Sequence, residues 1–107
     1  MAEELEAILN EMKAKGIGGA IVSPDGVVVH STIALNEATS GLIASVSNVS
    51  DALMKRMGDQ HKEIEISFGG LIVVMIPVKR HIFCGMVKER EEKKIVQEYA
   101  QKATQYL

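Results

Sequence analysis

The sequence predicts an α+β fold: a single five-stranded antiparallel sheet, element order αββαβββα, two terminal helices on one face and the central helix on the other. Three observations carry this. First, residues 63–87 read as three successive strands: 71–76 and 82–87 are nearly continuous apolar runs, too short to cross a bilayer and so expected to be covered on both faces. Glu63, Ile64, Glu65, Ile66, Ser67 and Phe68 instead alternate, as a sheet-edge strand with one wet face does. Second, segments of helical period lie before, between and after the strands. Third, five strands at ~4.8 Å spacing span roughly 24 Å while a helix covers about 10–12 Å, so a lone central helix leaves half of its face to be covered by something else.

Each element has a local cause. Residues 2–15 place Leu5, Ile8, Leu9 and Met12 on one helical stripe, with glutamates in the first turn, lysines in the last and Gly16 as C-cap. Two short β-branched runs, 18–23 and 27–31, flank Pro24-Asp25-Gly26, a hairpin turn with proline at its first corner and glycine at the left-handed position. Asn36 is the expected N-cap of a helix reaching Met57, along which Leu42, Val46, Val49, Leu53 and Met57 recur at spacings of three and four. Gly58-Asp59 ends it. Gly69-Gly70 is expected to supply positive φ angles for the next hairpin, and 78–81 forms the following turn, after Pro77. A last helix runs from Glu89, burying Ile95, Val96, Tyr99, Ala103 and Tyr106 or Leu107.

The totals narrow the class of function. With 107 residues, 47% hydrophobic and 24% charged, the chain can bury one core, and the expectation is a single domain over 1–107. A net charge of -2 supplies no cationic excess for nucleic acid or an anionic membrane as an obligatory partner, and 4% aromatic content lacks the stacking platform of a single-strand binder. The acidic start has no apolar leader core and no apolar run reaches membrane length, so the expected setting is cytoplasmic. One cysteine, Cys84, fits a reducing compartment and reads as a small buried hydrophobe.

No motif points to catalysis, a cofactor or a metal. His30, His61 and His81 are scattered, and Cys84 and His81 fall on opposite faces of a strand, which defeats a nucleophile–base pair. Glu63 and Glu65 share a strand face roughly 7 Å apart, a spacing two-carboxylate hydrolases use, but a solvated face explains them as simply. Gly16-Ile17-Gly18-Gly19 lies between a helix and a strand, the reverse of a phosphate loop. Lys79, Arg80 and His81 form a basic turn, with Lys88, Arg90, Lys93 and Lys94 expected toward one end of the sheet, read first as solvated surface and second as a patch for an anionic partner. Met12, Met54, Met57, Met75 and Met86 read first as core and second as adaptable interface.

The central helix carries small residues, Gly41, Ala44, Ser45, Ser47, Ser50 and Ala52, that admit another backbone closely, so a second copy of the chain is the economical cover for the open half-face. The candidate dimer interface is Leu42, Ser45, Val46, Val49 and Leu53 with Glu63, Ile64, Glu65, Ile66 and Ser67. Leu42, Val46, Val49 and Leu53 are expected to pack on both the sheet and the partner's helix.

The ordered set of elements, the segment Gly16-Ile17-Gly18-Gly19-Ala20-Ile21-Val22, the hairpin Ser23-Pro24-Asp25-Gly26 and the serine-rich central helix resemble the roadblock/dynein light chain family over essentially the whole chain. The resemblance implies a roadblock/profilin-like sheet of order 2-1-5-4-3 and a dimer joining third strands into ten. It further implies a non-enzymatic scaffold or regulator of small Ras-like GTPases or of a larger motor or regulatory assembly. The alternative is a small-molecule sensor of PAS or profilin-like type, which requires an enclosed cavity with polar anchors.

Overall fold

A computed structural model of the chain describes residues 2–59, 62–67 and 69–107. Its elements are α1 (Ala2–Ala14), β1 (Gly18–Val22), β2 (Val28–Ser31), α2 (Glu37–Arg56), β3 (Ile64–Ser67), β4 (Ile72–Val78), β5 (His81–Val87) and α3 (Lys93–Ala103). Short 3-10 turns flank α3 at Arg90–Glu92 and Thr104–Tyr106, so the last helix is less regular at its ends than its periodicity suggests. The expectations for His61 and Phe68 lie outside the described residues.

The strands form one sheet in the order β2-β1-β5-β4-β3, every neighbouring pair antiparallel. Its two faces hold separate cores. On one, Leu5, Leu9 and Met12 of α1 and Val96, Tyr99 and Ala103 of α3 meet Ile21, Val74 and Phe83. On the other, Ile43 and Ala44 of α2 meet Ala20, Val22, Met75, Ile82 and Cys84. Each fully buried large side chain contributes about 1.5–3 kcal/mol.

Caps end the helices as the sequence predicts. Asn36 Oδ1 accepts from Thr39 N–H at 2.8 Å, and Gly16, at φ 84°, closes α1 while Ile17 N–H donates to Met12 O at 3.1 Å. Before α3, the Glu92 carboxylate accepts from the N–H groups of Lys88 and Glu89, both at 3.0 Å, in a capping box. The β1–β2 turn lies against α2: a β-carbon on Gly26 would stand 2.9 Å from Gly41 Cα, so the approach requires glycine at position 26, which also has a positive φ.

Four expectations are corrected. Leu42, Val46, Val49 and Leu53 do not pack on the sheet; α2 rests on it through Ser40, Ile43, Ala44 and Ser47. At ~100° per residue these two stripes lie about two-fifths of a turn apart, and the smaller residues let the helix sit closer. Met57 is exposed, not core. Gly69 and Gly70 do not have positive φ; in the β4–β5 turn that conformation falls to Lys79, at φ 56°. Finally, Glu63 and Glu65 do not form a wet face, because α3 supplies their partners.

Candidate functional site

No group of three or more His, Cys, Asp or Glu side chains able to hold a metal occurs among the described residues. Cys84 lies buried beneath α2, and burial pushes its thiol up to about 12, far from a reactive thiolate. What the described surface offers is an apolar stripe on α2 and, on the same side of the sheet as that helix, two half-buried isoleucines of the open β3 edge. Along α2, Leu42, Val49 and Leu53 are 65%, 69% and 53% exposed, and Met57 and Val46 continue the stripe. Large apolar side chains so aligned mark an interaction surface in a way that scattered ones do not.

β3 lies at one edge of the sheet, and Ile64 and Ile66 point to the α2 side, where they are only half-buried along with Val73. This is the part of the face that one helix does not cover. The opposite edge, β2, is interrupted by a register shift opposite Ile21 and Val22, a bulge of the kind that discourages strand addition. β3 pairs with β4 without one, from Ile64↔Met75 to Ser67↔Ile72.

On the other face of β3 the two carboxylates are clamped. Lys93 Nζ lies 2.6 Å from Glu63 Oε2 and 3.2 Å from Glu65 Oε2, Gln97 Nε2 donates to Glu63 Oε1 at 2.8 Å, and Arg90 Nε lies 3.3 Å from Glu65 Oε1. Burial pushes the Glu63 carboxyl up, but the hydrogen bonds from Lys93 and Gln97 outweigh it and hold it below the usual carboxylate range. The Glu63 and Glu65 carboxylates in turn hold the Lys93 ammonium above its ordinary value. Of the basic residues expected to form a solvated patch, Lys93 is thus committed to Glu63 and Glu65, while Arg90 stays largely exposed and meets Glu65 Oε1 only as an ion pair, without a hydrogen bond.

All five predicted helix residues are exposed, and Ser67 is exposed at the end of β3 while Glu63, Ile64, Glu65 and Ile66 are partly buried. The stripe belongs to the helix on one face of the sheet, and the clamp lies on the opposite face. Sequence reasoning missed Lys93, Arg90 and Gln97, because nothing in a basic run tells which carboxylates it will meet across the fold.

By sequence, no family model and no curated protein matches the chain. Solved structures do. MglB from Myxococcus xanthus has a TM-score of 0.86 at 12% identity, over 98% of this chain and 88% of that one. A roadblock/LC7 domain from Streptomyces avermitilis has a TM-score of 0.78 at 8% identity, covering 96% and 97%. Profilin II from Acanthamoeba castellanii has a TM-score of 0.72 at 12% identity, covering 95% and 98%. The fold is therefore that of a roadblock/LC7 domain, an architecture shared with profilin.

Proposed function

We propose that the chain is a non-enzymatic homodimeric module that engages a small Ras-like GTPase or a larger regulatory assembly. The observation that carries this reading is the exposed apolar stripe of α2, together with an unbulged β3 edge whose Ile64 and Ile66 are half-buried on the same side of the sheet as that helix. A second copy applied there would cover Leu42, Val46, Val49 and Leu53 and add its own β3 antiparallel to this one, across a two-fold axis. Ser45 lies on the same exposed side of α2 and is small enough for close helix approach. The roadblock fold supports assigning the dimer to GTPase regulation, since the resemblance to the roadblock/dynein light chain family implies regulation of small GTPases. Its effect on a GTPase would arise from binding one arrangement of that protein's switch segments better than another, with no chemistry from its own side chains.

A sensor of PAS type would need an enclosed cavity. The cleft beside α3, about 560 Å³ and floored by Ile76, Pro77, Val78 and Ala100, is an open groove. The test joins two measurements: mass by light scattering, and binding to a Ras-like GTPase encoded beside this chain's gene, loaded with GDP or a GTP analogue. A dimer that prefers one nucleotide state is expected. A monomer throughout the micromolar range sinks the dimer, and a dimer indifferent to both forms sinks the regulatory assignment.

A further inference from the structure

The β4–β5 turn carries residues that turn chemistry alone would not select. Val78 and His81 are the last pair of the ladder, which leaves Lys79 and Arg80 as a two-residue loop. Such loops favour asparagine and glycine because their corners are left-handed, yet Lys79 stands there at φ 56°, the one non-glycine with positive φ among the described residues. Beside it, His81 Nδ1 is sealed from solvent and has no hydrogen-bond partner among the described residues. Folded chains seldom leave such an atom unmatched.

Both residues line a groove of about 450 Å³ between this turn and α2. Three cations, Lys55, Lys79 and Arg80, line it against one carboxylate, Asp51, leaving an excess of two positive charges. Asp51 is already matched by Lys55 at 3.0 Å, and no ion pair among the described residues engages Arg80. Lys79 Nζ donates to Leu107 O at 3.3 Å across exposed surface, a bond that an anion can displace.

We propose that this groove binds a phosphate-bearing anion through Arg80, Lys79 and Lys55. A multiply charged phosphate anion answers the excess of positive charge, and the planar guanidinium of Arg80 suits two phosphate oxygens at once. Asn48, on the α2 side, adds a neutral amide donor. The site is independent of a second copy: helical period puts Asn48, Asp51 and Lys55 on the flank of α2 away from Leu42, Val46, Val49 and Leu53. A partner on the apolar stripe leaves the groove open.

The experiment is a titration of isotope-labelled protein with inorganic pyrophosphate at low salt, followed by amide resonances. Saturable shifts confined to residues 47–55 and 77–82 are expected. Arg80→Gln should weaken binding about tenfold, the loss of one charge-assisted hydrogen-bonding group. Lys79→Asn should weaken it too while keeping a residue tolerant of the left-handed corner, and it decides the matter if Arg80→Gln fails to fold. Lys13→Gln, on α1, should change nothing. Cosedimentation with phosphatidylcholine vesicles containing phosphatidic acid separates the sources. Competition by pyrophosphate assigns a lipid headgroup, and pyrophosphate binding without vesicle binding assigns a soluble phosphate. Absence of saturable shifts, or a Lys13→Gln effect equal to that of Arg80→Gln, overturns the proposal.

Discussion

Gly85 sets the distance between α3 and the sheet. A β-carbon there would lie 2.6 and 2.8 Å from the two Cγ atoms of Val96, and valine, stiff about χ1, has no other rotamer to escape into without moving the helix. Gly85→Ala should therefore lower stability by about 1–3 kcal/mol, the usual range for overpacking, and thermal unfolding measures it. Adding Val96→Ala should recover part of the loss; simple additivity of the two changes would place the strain elsewhere. The reason for this glycine was not legible in the sequence, since an apolar run does not name what crosses it. Cys84, its neighbour, was legible: an isolated cysteine inside such a run reads as a small hydrophobe, and the structure buries it with its thiol pushed up to about 12. Alkylation by iodoacetamide at neutral pH should thus proceed only as fast as the chain opens, and labelling as rapid as that of free cysteine would contradict the burial.

At the scale of elements, α2 shows where periodicity stops being informative. The spacing of Leu42, Val46, Val49, Leu53 and Met57 located the helix, yet the sheet is met by a different stripe containing Ser40 and Ser47. Apolar period marks a face that needs cover without saying which surface provides it. Val49→Asp consequently tests the interface and not the core. With Val49 69% exposed in one chain, the substitution should leave the fold intact and yield a monomer by light scattering. A dimeric Val49→Asp protein would mean that the stripe faces solvent in the assembly. β3 and α3 make a second case. Like charges facing one another across a dyad would oppose pairing of two β3 strands, and Lys93 answers this by bridging Glu63 and Glu65 within each chain. The lowered Glu63 pKa makes its contribution present above the ordinary 4.5 and lost as pH falls through the folded value. The raised Lys93 pKa makes its contribution present below the ordinary 10.5 and lost as pH rises through its folded value. The clamp is complete between those limits. Lys93→Met should weaken the dimer at neutral pH and let it recover at a pH below the ordinary carboxylate range, about 3.5, where protonation removes the repulsion. Sedimentation at the two pH values checks this, and a variant as tightly dimeric as the unaltered chain at neutral pH would show the clamp to be irrelevant to assembly.

For the whole molecule, the order of elements and the placement of helices on the two faces could be read from residues because period, caps and turn chemistry agreed along the chain. The partners of Glu63 and Glu65 could not, being set by how α3 crosses the sheet. The same architecture poses the question of its two edges. β2 is short and bulged, whereas β3 is short and regular, has no proline and turns Ile64 and Ile66 toward the half-covered α2 side. Only β3 is thus prepared for backbone pairing with another strand. Successive N–H groups of a strand point to opposite sides, so one of Ile64 and Glu65 directs its N–H to β4 and the other to the open edge. Proline at the first position would break the ladder inside the chain, while proline at the second would remove only the hydrogen bond made to a partner. Of Ile64→Pro and Glu65→Pro, one should lose thermal stability and the other should keep its circular dichroism spectrum while light scattering reports a monomer. The Glu65 variant also gives up a carboxylate of the clamp, so Glu65→Gln serves as its control and should remain dimeric. If both proline variants stay folded and dimeric at micromolar concentration, two copies of this chain meet through some other surface than the edge of β3.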